Sequence, residues 1–280
     1  MKIPLLPDRP RPLIFAHRGC SSLAPENTLA AFRKARETGA PGIELDIHVC
    51  RSGELVVAHD DTFARTAGDP RAIADLSWEE IRKIDVSGGR RPPEGAGEHP
   101  PLLDEVLEEF CPGMYIDIEL KTEKTKDDPL PLLAARKLEQ FGDRALCSVT
   151  VSSFNPFALA AFKRHCPGVP TAVIWSAGRE VPLILRRGFG RFISRCDYLK
   201  PVHLQVNRLS RFRFSVLEGR PLVPWTIDDR GLAERLLKTG CEGIITNRPQ
   251  DFCPAEGSPV PAAGPSADSG PGTQARDTAR

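Results

Sequence analysis

Residues 42–48 read Gly-Ile-Glu-Leu-Asp-Ile-His, and residues 116–121 read Ile-Asp-Ile-Glu-Leu-Lys. Both alternate aliphatic and ionisable residues at period two, the spacing of a β-strand whose neighbouring side chains point to opposite faces. Ile43, Leu45 and Ile47 would then face a layer of helices, with Glu44 and Asp46 on the other side. Asp117, Glu119 and Lys121 share one face in the same way. In a barrel strand, the face opposite the helices is the interior. The pattern therefore predicts two strands that send carboxylates inward.

Working outward, short apolar runs recur along the chain, most of them followed by a helical pattern. Leu13–Ala16 reads as a buried strand ending at His17, with a helix over 27–38 and Gly39 just past it. Glu54–His59 follows the second strand after the turn Cys50-Arg51-Ser52-Gly53, so it reads as a hairpin beside the main sheet. Further strands are predicted at 114–120, 146–151, 171–175, 197–200, 222–225 and 243–246. Helices are predicted at 77–85, 102–110, 130–141, from 155, at 180–188 and at 229–239. Leaving out the hairpin, eight strands in β-then-α order predict an α/β fold, a TIM (β/α)8 barrel with a small β-hairpin insertion after strand 2. An open doubly wound sheet also satisfies the alternation. The division expected is an N-terminal extension over 1–12, a barrel domain over 13–253 and a disordered tail over 254–280, with a surface loop over 88–101.

The 280 residues hold 38 basic and 37 acidic side chains, for a net charge of +1, and are 40% hydrophobic and 27% charged. This composition is that of a water-soluble globular protein and offers no electrostatic basis for a nucleic-acid or anionic-membrane partner overall. No apolar run is long enough for a signal peptide or a transmembrane segment. The eight cysteines show no CxxC or paired spacing. They are expected to be reduced thiols in a cytoplasmic protein, and zinc is not expected.

Inward acids two residues apart repel one another unless a cation or hydrogen bonds offset them. Oxygen donors of this kind suit one hard divalent cation, Mg2+ or Ca2+. Ion pairs with inward Arg or Lys would explain the same spacing. His17 and His59 each follow an apolar run directly, where an α/β barrel exposes its catalytic face, and imidazoles suit acid and base roles near neutral pH. Arg18 offers a planar donor fork for phosphate oxygens. His48 shares the parity of Glu44 and Asp46 but lies farther into the turn, and no role is expected for it.

His17-Arg18-Gly19, Pro25-Glu26-Asn27-Thr28, Ile43-Glu44-Leu45-Asp46, His59-Asp60, Arg65-Thr66, Ile118-Glu119-Leu120-Lys121 and Trp225-Thr226 to Thr246-Asn247 fall in an order that resembles the glycerophosphodiester phosphodiesterase family over residues 13–250. The resemblance implies a TIM barrel with a hairpin insertion and hydrolysis of glycerophosphodiesters to sn-glycerol 3-phosphate and an alcohol. It implies metal ligation by Glu44, Asp46 and Glu119, and a catalytic pair in His17 and His59. Arg18 would contact phosphate, Lys121 would lie beside the site, and Trp225 would line the substrate cleft. Glu26 and Asn27 would shape the loop and cap the next helix. The chain departs from the family at Asn247, where the family carries Asp, and at Arg51-Ser52-Gly53 in the hairpin. Three rivals stand beside this expectation. They are lysophospholipase D or sphingomyelinase D-like action on lipids, a non-catalytic phosphate-ligand-binding barrel, and a sugar-isomerase type of barrel. Oligomeric state is not legible.

Overall fold

In a computed structural model, which describes residues 3–88, 97–111, 113–178 and 182–253, the alternation of residues 42–48 and 116–121 becomes the wall of a barrel. Among the described residues there are ten strands: β1 (Leu13–His17), β2 (Gly42–Val49), β3 (Leu55–Val57), β4 (Thr62–Phe63), β5 (Asp69–Ala72), β6 (Tyr115–Leu120), β7 (Val149–Ser153), β8 (Thr171–Trp175), β9 (Tyr198–Pro201) and β10 (Gly243–Thr246). The main sheet runs β10-β1-β2-β6-β7-β8-β9, all in parallel, with β3 antiparallel on the far half of β2. Residues 222–225 close the circle. Leu199 pairs with Leu222 and Val202 with Trp225 on one side, while Glu242 and Ile245 donate backbone hydrogen bonds to Leu222 and Pro224 on the other. Pro224 has no N–H to give, so this stave forms isolated bridges rather than a full ladder.

Parity sorts the two sides of the wall. Ile14, Ala16, Ile43, Leu45, Ile47, Ile116, Ile118 and Leu120 join the outer core against the helices. The helix Leu29–Glu37 contributes Ala31, Phe32 and Ala35, and Leu103–Phe110 contributes Leu103, Val106, Leu107 and Phe110. Facing inward at the N-terminal end, Leu13, Phe15, Tyr115, Ala172, Tyr198, Val223 and Ile245 form a second cluster, plugged from below by Leu5 and Leu6. The segment before β1 thus contributes Leu5 and Leu6 to the barrel floor. A Cβ on Gly42 would lie 1.9 Å from the Tyr115 ring, so only glycine admits that ring to the floor.

The insertion after β2 is larger than a hairpin. β4 and β5 form a small antiparallel sheet, and Val56, Phe63, Ile73, Leu76, Ile81 and Ile84 give the insertion its own core. The helices predicted at 77–85 and 27–38 are shorter, Trp78–Ile81 and Leu29–Glu37. Of the helix expected over 180–188, residues 180 and 181 lie outside the described residues, and the remainder holds only a 3₁₀ turn, Leu183–Leu185, with a short helix, Gly190–Ser194, after it. Most of the loop expected at 88–101 and the whole tail from 254 lie outside the described residues. Among the described residues, no helix is long and apolar enough to cross a membrane.

Candidate active site

Strand register brings the inward ionisable groups together. His17 stands beside Glu44, Glu44 beside Asp117, and Asp46 beside Glu119. One oxygen from each of Glu44, Asp46 and Glu119 lies within 4.8 Å of the others. All three side chains are buried, at 2%, 1% and 7% exposure.

Three carboxylates in so little water cannot ionise alike. Burial, reinforced by Asp46, pushes Glu44 up to about 8. Burial also works to raise Asp46, but Lys121 and Arg18 outweigh it and hold that group down at about 2. Glu119 is raised by burial, with Lys121 acting against the shift. The Lys121 ammonium sits 3.1 Å from Glu119 and 3.6 Å from Asp46. Asp117, one tier deeper, is paired with Lys200 at 2.8 Å, and Ser152 accepts a hydrogen bond from the same ammonium. The structural ion pair allowed by the sequence is therefore real for Asp117.

The loop after β1 is set by two left-handed residues. Arg18 has φ 55° and Gly19 φ 81°, and a Cβ on Gly19 would come within 2.6 Å of the Ala31 backbone. Glycine is required there. This bend aims the Arg18 N–H at Glu44 Oε2, 3.2 Å away, and brings Arg18 Nε to 3.5 Å from Asp46. Arg18 Nε is buried without a hydrogen-bond partner. Thr28, not Asn27, caps the following helix, accepting from the Ala31 N–H. Asn27 itself adopts φ 55° and donates to Asp46 Oδ2 at 2.9 Å, so it ties the loop to the acid cluster.

The two histidines have different supports. His17 Nε2 is 4.0 Å from Glu44 Oε2, and its Nδ1 is 2.7 Å from Asn247 Oδ1. The Asn247 amide nitrogen donates to Asp228 at 2.8 Å, which turns its oxygen toward the ring. His17 therefore carries its proton on Nδ1 and leaves Nε2 as an acceptor when neutral. Burial, aided by Arg18, lowers its pKa below the ordinary value. His59 Nδ1 is 2.7 Å from Asp60, which Arg65 holds at 2.7 Å; Arg65 also grips Glu26, and Glu26 accepts from Arg18. Arg18 and His59 are thus the two ends of one ionic chain. His48 only reaches the His59 carbonyl, at 3.2 Å.

Trp225 is half-buried at the end of its stave, edge-on to Phe154 at 5.6 Å, with its ring N–H on the Lys200 carbonyl. Sequence reasoning missed Lys200, a lone inward lysine in a four-residue strand whose other inward residue, Tyr198, gives no sign of parity. It also gave no role to Asp228, whose link to His17 exists only through the fold.

A family model described as the glycerophosphoryl diester phosphodiesterase family matches residues 17–251. A glycerophosphodiester phosphodiesterase of Caldanaerobacter subterraneus subsp. tengcongensis is 33% identical over 250 residues, covering 85% of this chain and 95% of that one. One from Bacillus altitudinis is 31% identical over 245 residues, covering 84% and 94%. Among solved structures, an Oleispira antarctica phosphodiesterase in complex with the product sn-glycerol-3-phosphate superposes with a TM-score of 0.73 at 26% identity, covering 86% of this chain and 95% of that one. With barrel fold and sequence in agreement, this chain belongs to the glycerophosphoryl diester phosphodiesterase family, whose members are phosphoric diester hydrolases built on TIM barrels.

Proposed function

We propose that this protein hydrolyses small-molecule glycerophosphodiesters to sn-glycerol 3-phosphate and an alcohol, with one divalent cation and a histidine pair. The observation that carries this reading is the gathering of Glu44, Asp46 and Glu119 beside His17 and Arg18. The product named in the Oleispira antarctica complex supports the substrate class. The donor set fits a hard cation. It is all carboxylate, buried and mutually repulsive, and burial, reinforced by Asp46, raises Glu44 to about 8. Glu44, Asp46 and Glu119 would hold Mg2+ or Ca2+. When bound, such an ion neutralises the cluster and polarises a phosphate oxygen.

The chain's own groups do the rest. Arg18 Nε, buried beside Asp46 but without a hydrogen-bond partner, would bond a phosphate oxygen, and Lys121 would balance charge beside it. His17, neutral with Nε2 free, would accept the proton of the attacking oxygen. His59, backed by the anchored carboxylate of Asp60, would deliver a proton to the leaving alcohol. A cytoplasmic location belongs to the same reading, on the cysteine spacing of the sequence.

The test is hydrolysis of glycerophosphocholine by the full chain in excess chelator, then with Mg2+ or Ca2+ restored, alongside H17A and H59A. Activity should vanish and return, and each variant should lose about 10²-fold or more. Undiminished rates in chelator would remove the metal, near-normal variants would remove the histidine pair, and no turnover with either ion would remove the substrate.

A further inference from the structure

Eleven large apolar residues stand exposed among the described residues, and nine of them fall between Leu183 and Leu217. The most exposed are Leu204 at 83%, Leu183 at 79% and Leu209 at 75%. They lie in the crossovers that follow β8 and β9: Leu183 and Leu204 in 3₁₀ turns, Phe192 and Ile193 in the helix Gly190–Ser194, and Leu209, Phe212, Val216 and Leu217 in the helical segment 208–217. The turn carrying Leu204 is held against Trp225 through the His203 N–H.

These loops form one surface rather than scattered tips. The buried Arg191 guanidinium stacks 4.1 Å over Phe192 and 5.0 Å over Phe214. Its fork binds both oxygens of Glu218, at 2.8 and 3.0 Å. Phe189 packs on Phe192, and Trp175, from the end of β8, packs on Phe214. The segment 183–194 is thereby fastened to 208–217, with Phe192 and Phe212 left open on the outside.

Charge on the same surface is one-sided. Residues 182–220 hold nine basic and two acidic side chains, and with Arg191 and Lys200 buried and paired seven basic ones remain, though the whole chain nets only +1. Of the two acids, Asp197 is buried and Glu218 is spent on Arg191 and Arg220. Arg187, Arg195, Arg208 and Arg213 are exposed among the apolar tips. Apolar side chains interleaved with arginine suit the headgroup–acyl boundary of an anionic bilayer. A second copy of the chain fits poorly, because self-association through this face would oppose like charges.

We infer that the crossovers after β8 and β9 dock the protein on an anionic lipid surface. The inference goes beyond the proposed hydrolysis, and its test needs no catalysis. The full chain is sedimented with vesicles of phosphatidylcholine alone and of phosphatidylcholine with phosphatidylglycerol. It should bind the anionic vesicles at low salt, release at high salt, and bind neutral vesicles weakly. R187Q/R208Q should weaken binding about fivefold per arginine. F192S/L209S, on exposed positions outside the site, should abolish retention while hydrolysis of soluble glycerophosphocholine stays unchanged. Absence of binding at low salt, equal binding by the variants, or lipid-free self-association lost in F192S/L209S would each overturn the inference. The last result would assign the patch to a second copy.

Discussion

Asn247→Ala isolates how His17 is held. In the structure the Asn247 oxygen accepts from His17 Nδ1 at 2.7 Å and from Ser21 at 3.0 Å, while its nitrogen is fixed on Asp228. The substitution leaves a half-buried Nδ1–H without its acceptor and releases the choice of tautomer. Losing such a bond costs about 1–3 kcal/mol. The bond would matter most when the ring becomes positively charged in the transition state, so most of that cost should appear in turnover. At ~1.4 kcal/mol per decade, this is a fall in kcat of roughly 5- to 150-fold, with KM little changed. Hydrolysis of glycerophosphocholine at saturating metal measures it. A ¹⁵N–¹H correlation of the His17 ring should show Nδ1 protonated in the parent protein and exchange between tautomers in the variant. Asn247→Gln, which keeps the amide at a longer reach, should recover part of the loss. An Asn247→Ala variant within about twofold of the parent in kcat, or a parent ring protonated on Nε2, would refute the reasoning.

Two further outcomes follow from burial. With metal removed, Glu44 folded at about 8 against an ordinary carboxylate near 4.5 means that the folded state binds the extra proton between those values. Stability should then fall as pH rises from 7 through 8, seen as a lower thermal midpoint in chelator, and the trend should flatten once a divalent ion holds Glu44 ionised. His17 and His48, lowered by burial, act in the opposite sense below their ordinary values, so the comparison belongs above pH 7. Leu5→Ala removes a 4%-exposed plug from the barrel floor and should cost about 2–4 kcal/mol in chemical denaturation. Its kcat should match the parent, because the floor lies at the opposite end from the carboxylates; a stability change below about 0.5 kcal/mol would deny the plug its role.

What the sequence discloses follows from how much period each element displays. β2 and β6 are long enough for alternation to show, and their acids reveal which parity faces inward. β9 offers only Tyr-Leu-Lys-Pro, so Lys200 carries no sign of its direction, although it is as buried as Asp117. β4 and β5 are too short to show any period, and the insertion core they help build stays hidden. The cap at Thr28 is missed because Asn is the usual choice at such a boundary. Here Asn27 is drawn into the left-handed region by a bond to Asp46, nineteen residues away. Asp228 and Asn247 become a pair only when the last stave lies against its neighbour.

The charges left at the mouth make sense as a ledger that a ligand completes. Asp117 and Lys200 satisfy each other one tier down and can be set aside. Above them, Glu44, Asp46 and Glu119 face Arg18 and Lys121, which leaves one negative charge when all are ionised. The metal-free protein can remove that excess by keeping Glu44 protonated, and it does so at the cost of a ligand. A dication would ionise Glu44 and turn the balance to one positive charge, the complement of a phosphodiester. A phosphomonoester dianion would overshoot it, so the product should be held less favourably than the substrate's charge alone would suggest. The side arm of Glu26, Arg65 and Asp60 adds one negative charge, which a protonated His59 cancels and a neutral one does not. Proton delivery by His59 would be matched by the proton that His17 accepts from the attacking oxygen, so bond cleavage would move one positive charge from the His59 side of the mouth to the His17 side and leave its total unchanged.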